Sequence, residues 1–241
     1  AQPNACSKCG PHLEFKIHPD LFGTKFKIQE KENPIKSTIN ILKQGDIVAI
    51  KGLGGFHIAC DAANKDAVER LRERKRKNNK PFALMAPDIE TIKKYCEVSE
   101  KEQELLTSNK RPIVLLRKKD TGFRIQDEEN HASGIMHHAS VLPDSISPNN
   151  LYIGFMLPYT PLHYLLFFYP IFYNPITLPT PLPSREGMNP SPLAGEGWGE
   201  GRANFSALVM TSGNISEEPI IVSNDEAVSK FSDMVDALLI H

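Results

Sequence analysis

Residues 66–88, DAVERLRERKRKNNKPFALMAPD, change their periodicity twice within one short stretch. Ala67, Val68 and Leu71 fall on one side at helical spacing, with arginines around the other side. Lys80 and Pro81 then fix a turn, and the apolar run FALMA (82–86) reads as a short buried strand. Asp88 follows as the cap of a second helix, with Ile89, Ile92 and Cys96 as its stripe. Helix, strand and helix in direct succession are the unit of an α/β domain, in which helices pack on a sheet.

The same alternation continues outward. In NPIKSTINILKQG (33–45), Asn33 is placed to cap a helix, Pro34 stands at its first position, Ile35, Ile39 and Leu42 share a face, and Gly45 ends it. DIVAI (46–50), PIVLL (112–116), LYIGFML (151–157), SALVM (206–210) and ALLI (237–240) read as strands. Ser99 and Glu102 fit a capping box for the helix carrying Leu105 and Leu106. TPLHYLLFF (160–168) and NDEAVSKF (224–231) read as helices. Two regions break the rhythm: residues 121–150 are polar and read as a long loop, and residues 170–204 are rich in Pro and Gly. A stretch of that length without apolar period is read as a disordered insertion.

The 241 residues carry 28 Lys+Arg against 29 Asp+Glu, a net charge of −1, and 40% hydrophobic content. That is enough for a core, and near-neutrality excludes a protein that coats nucleic acid over its whole surface. The apolar run LHYLLFFYPIFY is too short to span a bilayer and is broken by Pro170. Only four cysteines are present, Cys6, Cys9, Cys60 and Cys96. With no secretory signal in AQPNACSKCG, a cytoplasmic protein is expected.

Three constellations carry chemistry. Arg72, Arg74, Lys75, Arg76, Lys77 and Lys80 concentrate cations where a helix gives way to a strand. Arg forks onto two phosphate oxygens and Lys acts as a point charge, although an isolated charge run is more often a solvated helix face. AIKGLGGFHIACDA (49–62) follows a strand with Gly52, Gly54 and Gly55, which permit close backbone approach, or simply a tight turn. VMTSGNIS (209–216) delivers Thr211, Ser212 and Asn214 at the carboxyl end of a strand, where α/β ligands bind, although alone it reads as an ordinary polar turn.

Taken in order, KGLGGFHIACDA, RKRKNNKPFALMAPD, LPYTPLHYLL and LVMTSGNISEEPI resemble the YrdC-like domain of the hydrogenase maturation carbamoyltransferases, the HypF family. The resemblance runs from about Cys6 to His241, apart from residues 170–204. The sister threonylcarbamoyl-adenylate synthases show a threonine-rich turn where this chain has its glycines. In the family, C-x-x-C-G-P closes the second of two zinc modules, so the chain is expected to be a fragment. Residues 1–30 would be a zinc-module remnant and linker, and residues 31–241 the YrdC-like domain. Cys6 and Cys9 would be half of a zinc site whose other ligands lie elsewhere. Cys60 and Cys96 are read as core residues.

The resemblance implies a twisted mixed sheet flanked by helices, with a concave basic nucleotide-binding groove. It implies an ATP-dependent carbamoyltransferase that uses ATP and carbamoyl phosphate to build carbamoyl adenylate, with the partner protein HypE as acceptor and magnesium bridging phosphates. Lys75, Arg76 and Lys80 would be the catalytic cations on the triphosphate. Lys51, Thr211, Ser212 and Asn214 would bind the nucleotide, and Gly54, Gly55 and His57 the carbamoyl group. His57 and His163 lie in family motifs, but a structural role is as common for each. The alternatives are threonylcarbamoyl-adenylate synthesis for transfer RNA modification, or a module binding double-stranded RNA.

Overall fold

The computed structural model describes residues 10, 12–17, 33–76, 80–119, 142–170, 203–214 and 218–241. Among them the elements run β1 (Glu14–Ile17), α1 (Pro34–Lys43), β2 (Val48–Lys51), β3 (Phe56–Asp61), α2 (Lys65–Arg74), β4 (Ala83–Met85) and α3 (Ile89–Tyr95). There follow α4 (Glu100–Thr107), β5 (Val114–Arg117), a 3-10 turn (Asp144–Ile146), β6 (Tyr152–Met156), α5 (Pro161–Phe168), β7 (Leu208–Ser212), α6 (Asn224–Lys230) and β8 (Ala237–Ile240).

The helix ends form where local chemistry demands. Asn33 accepts from the backbone of Ile35 and Lys36, Asp88 from Thr91, and Ser99 with Glu102 closes a reciprocal box. Each cap satisfies amides that the first helical turn leaves without partners, worth about 1 kcal/mol apiece. Gly45 ends the α1 segment at φ 86°, a conformation that suits glycine.

The strands form one open sheet in the order β1-β8-β2-β3-β7-β4-β6-β5, with parallel pairs β8–β2 and β4–β6 and the rest antiparallel. Helices cover both faces, which explains why β2 and β8 are apolar runs rather than alternating ones. On one face Leu71 of α2 and Ile92 of α3 pack with Phe56, Ile58, Leu84 and Phe155. On the other, Ile39 and Leu42 of α1 and Leu166 and Phe167 of α5 pack with Ile50, Met85, Met210 and Leu239. No helix among the described residues is long and apolar enough to cross a membrane.

Strand directions place the chemistry. β2 and β7 both run antiparallel to β3, with Lys51 opposite Phe56 and Ser212 opposite His57. The carboxyl ends of β2 and β7 therefore share one sheet edge, as expected from the sequence. Three readings need adjustment. The glycine stretch is the turn of a β2–β3 hairpin, so FHIACD is a strand that the sequence reading missed. Glu14–Ile17 pairs with β8 as an edge strand, also missed. Residues 142–150, read as part of a long loop, contain the 3-10 turn with Ile146 buried against the core. The expected insertion lies outside the described residues except for its ends.

Candidate functional site

α2 ends at the sheet edge, and its capping residue Lys75 turns inward, only 7% exposed. Its Nζ donates to the Ser212 carbonyl at 2.5 Å and approaches Asn214 Oδ1 at 3.4 Å. Ser212 Oγ donates to the same Asn214 oxygen at 2.8 Å, and Asn214 Nδ2 donates to the Glu218 carbonyl at 2.9 Å. A buried ammonium without partners is strongly disfavoured, so this net of oxygens is what permits Lys75 to point inward. The geometry thus joins three expected site residues, Lys75, Ser212 and Asn214, across the sheet. Thr211 is buried on the same strand.

The rest of the basic run is divided. Arg70 donates to the Gly45 carbonyl and pairs with Asp46 at 3.6 Å. Arg72 donates to the carbonyls of Ser145, Ile146 and Lys80, with its guanidinium 4.7 Å from the Phe82 ring centroid. Arg74 forks onto Asp236 Oδ1 at 3.0 Å, while Asp236 Oδ2 accepts the Ile47 amide at 2.8 Å. These arginines fasten α2 to its neighbours, and none of them is among Lys75, Arg76 and Lys80, the residues expected on the triphosphate. Arg76, next to Lys75 in the chain, and Lys80 are exposed cations without a side-chain hydrogen bond among the described residues. Arg76 has φ 49°, an uncommon left-handed conformation for a non-glycine residue.

Glycines shape the edge, each differently. A Cβ on Gly54 would meet nothing within 4 Å, whereas on Gly55, at φ 137°, it would lie 2.6 Å from Ile220. Gly54 is therefore open to a ligand, while Gly55 is occupied by packing. Gly213, which the sequence reading passed over, has no room at all: a Cβ would lie 2.6 Å from the Phe56 carbonyl oxygen. Its amide donates to that oxygen at 2.7 Å, locking the T-S-G-N turn against β3. Lys51 donates to Asn224 Oδ1 at 2.7 Å and stands 5.6 Å from the Phe56 ring centroid.

On the face of α1 and α5, His57 Nε2 is 3.1 Å from the Tyr159 hydroxyl. The Tyr159 ring packs edge-on against His163 at 4.4 Å, and its amide points at His163 Nδ1 at 3.5 Å. Burial lowers the pKa of His57; burial, then the neighbouring His57, lowers that of His163 to about 4. Burial also raises the Tyr159 hydroxyl. All three groups are thus held neutral near pH 7. Tyr159 escaped the sequence reading because nothing local marks a tyrosine that meets a histidine from a distant strand.

Among the described residues no three His, Cys, Asp or Glu side chains gather as a metal site. Cys6 and Cys9 lie outside the described residues. Cys60 and Cys96 are buried free thiols in the core; burial raises both, Cys96 to about 12, so neither is a poised nucleophile.

A mixed open sheet between helices, with a buried lysine holding a Ser-Gly-Asn turn at one edge, defines an α/β domain with a polar site at its strand ends. The chain belongs to the Sua5/YciO/YrdC family, whose model, described as telomere recombination, matches residues 40–241. Within it, the sequence is 40% identical over 212 residues to carbamoyltransferase HypF2 of Cupriavidus necator, covering 88% of this chain and 22% of that protein. It superposes with a TM-score of 0.67 and 37% identity on full-length HypF in its phosphate- and nucleotide-bound form, over 99% of this chain and 23% of that one. The chain therefore spans under a quarter of the length of these relatives. Threonylcarbamoyl-AMP synthase of Vibrio vulnificus is 32% identical over 73 residues, 30% of this chain and 39% of that protein.

Proposed function

We propose that this domain forms carbamoyl adenylate from ATP and carbamate released from carbamoyl phosphate, within a HypF-type carbamoyltransferase. The observation that carries the reading is the Lys75–Ser212–Asn214 cluster, in a chain 37% identical to a protein whose structure holds phosphate and nucleotide. In the reaction a carbamate oxygen attacks the α-phosphorus of ATP. The bond to the β-phosphate bridging oxygen breaks, and pyrophosphate leaves with the electron pair. No covalent enzyme intermediate is needed; positioning and charge stabilisation suffice.

Arg76 and Lys80, both exposed, would take the β- and γ-phosphate oxygens, with Lys75 holding the Ser212–Asn214 turn against the α-phosphate. Ser212, Asn214 and Thr211 would hydrogen-bond the nucleotide, Lys51 would add positive charge, and the open backbone at Gly54 would admit the small acyl group. Together these residues would line the basic groove expected from the family. A magnesium ion would neutralise phosphate charge. The carbamoyl group would pass on to HypE. Cys6 and Cys9 would belong to a zinc module of the longer protein.

The test is isotope exchange between pyrophosphate and ATP by this chain, supplied with ammonium carbamate or with threonine plus bicarbonate. Exchange that requires carbamate is the expected result. Exchange that requires threonine instead would replace this reading with threonylcarbamoyl-adenylate synthesis.

A further inference from the structure

Two residues expected at the nucleotide, Lys51 and Asn214, are held from one short helix, α6, which the sequence pattern leaves outside the chemistry. Asn224, its first residue, accepts from Lys51 Nζ at 2.7 Å. Lys230, its last, donates to Glu218 Oε2 at 3.1 Å, and the Glu218 carbonyl accepts the Asn214 side-chain amide at 2.9 Å. Lys230 also meets Glu226 Oε1 at 3.1 Å, one turn back on the same helix. That contact is the ordinary i,i+4 pair of a helix surface. The one to Glu218 spans 12 residues of sequence and ties α6 to the loop that follows Asn214.

Backbone bonds close the base of that loop. The Ile221 amide donates to the Gly213 carbonyl at 2.9 Å, while Phe56 gives its amide to Ile221 at 2.9 Å and takes the Gly213 amide at 2.7 Å. Phe231, just after α6, packs edge-on against Phe56 with ring centroids 5.7 Å apart. Glu218 stands beyond this closure, and among the described residues Lys230 is the side chain that fastens it. The polarity of the Asn214 amide is settled from two sides. Its Oδ1 receives Ser212 Oγ and Lys75 Nζ, so turning the amide over would aim N–H groups at an ammonium. One Nδ2 hydrogen goes to the Glu218 carbonyl, and a single N–H is left for a ligand oxygen.

We propose that Lys230 and Glu218 are positioning residues of the nucleotide site, their ion pair holding the Glu218 carbonyl where it aims the remaining N–H of Asn214 at ATP. This rests on the assignment of Asn214 to the nucleotide above. Hydrogen bonds to Glu218 and Glu226 raise the pKa of Lys230, which keeps the pair charged at neutral pH. The two side chains are 41% and 44% exposed, and a pair so exposed contributes little to folding. Its effect is therefore read in binding and not in melting. A field acting through space makes a different statement. Removing a cation near a triphosphate weakens binding, whereas removing a carboxylate strengthens it. Positioning requires that either removal weaken binding, because each breaks the same tether.

The experiment is titration calorimetry of the whole chain with a non-hydrolysable ATP analogue. The proteins are the wild type, Lys230→Met, Glu218→Ala, the double variant and Glu226→Ala, each checked by its melting curve. Lys230→Met and Glu218→Ala should each raise the Kd about 3- to 10-fold, the worth of one ordinary hydrogen bond. The double variant should lose no more than either alone, since both break one link. Glu226→Ala should stay within about twofold of the wild type, and the melting temperatures should not change. An unchanged Kd, a tighter Kd in Glu218→Ala, additive losses, or losses that track earlier melting would each overturn the proposal. A loss in Glu226→Ala as large as that in Lys230→Met would overturn it too, by tracing the effect to the helix surface. If the wild type binds no analogue, the nucleotide assignment itself falls and takes this proposal with it.

Discussion

Arg76 occupies the position after a helix end where glycine is usually found, with φ 49°. A side chain in that conformation costs about 1 kcal/mol, and strain of this kind is retained mostly where function needs the residue. Arg76→Gly should therefore leave stability unchanged or raise it by up to about 1 kcal/mol, while weakening ATP binding about tenfold through one lost charge-assisted contact. Chemical denaturation and titration calorimetry would measure both; lower stability with intact binding would assign Arg76 to the fold. His163 gives a second prediction at this scale. Its folded pKa, about 4, lies below the ordinary 6.5. Between these values the unfolded chain binds more protons, so the stability is fully present above about pH 6.5 and is lost as pH falls toward 4. The loss is at most about 3 kcal/mol. A His163→Phe variant should show a flatter acid limb between pH 6.5 and 4, and an unchanged limb would mean that other groups set it. The basic run shows how far single residues are legible. Its charge density was plain in the sequence, but the partners that sort it, Ser145 for Arg72, Asp236 for Arg74 and Ser212 for Lys75, arrive from distant segments.

Elements were legible where their signals are local. Asn33, Asp88 and Ser99 cap the helices expected of them, because a cap is settled within four residues. β3 was missed because its glycine turn made FHIACD look like loop, and β1 because a four-residue edge strand takes its meaning from β8. The β2–β3 hairpin and the end of β7 now make a paired prediction. Gly213→Ala pushes a methyl group into the Phe56 backbone and should destabilise by roughly 1–3 kcal/mol, disturbing Ser212 and Asn214. Gly54→Ala meets open space and should change stability by less than about 0.5 kcal/mol. Equal effects in thermal melts would contradict the packing described. The end of α5 makes another. Asn204 donates its amide to the Phe167 carbonyl at 2.7 Å and its side-chain nitrogen to Leu166 and Tyr169, while accepting from Lys43. The chain thus leaves α5 and returns to it at nearly the same place. Deleting Asn174 through Arg202 shortens the connection between ends already held together, and closure cost changes only with the logarithm of length. The deletion should preserve or raise the melting temperature and leave ATP binding unchanged. An unfolded product would show that the segment is part of the fold.

At the scale of the molecule, the eight-stranded sheet brings the ends of β2 and β7 to one edge through their common neighbour β3. That convergence was inferred in the sequence from strand ends alone, since glycines and a Ser-Gly-Asn turn placed after apolar runs belong at strand termini. The division of labour at the edge was not legible, because it depends on which faces the residues share: Lys75 reaches the turn from α2, while His57 and Tyr159 meet on the side of α1 and α5. The nucleotide is expected to bind where these parts meet. The measurement that tests it most directly is a crystal structure of this chain with a non-hydrolysable ATP analogue. The expected result is the α-phosphate at the Ser212–Asn214 turn, the β- and γ-phosphates against Arg76 and Lys80, and the acyl position near Gly54 and His57. A triphosphate bound elsewhere, or one that leaves Ser212 and Asn214 untouched, would contradict it.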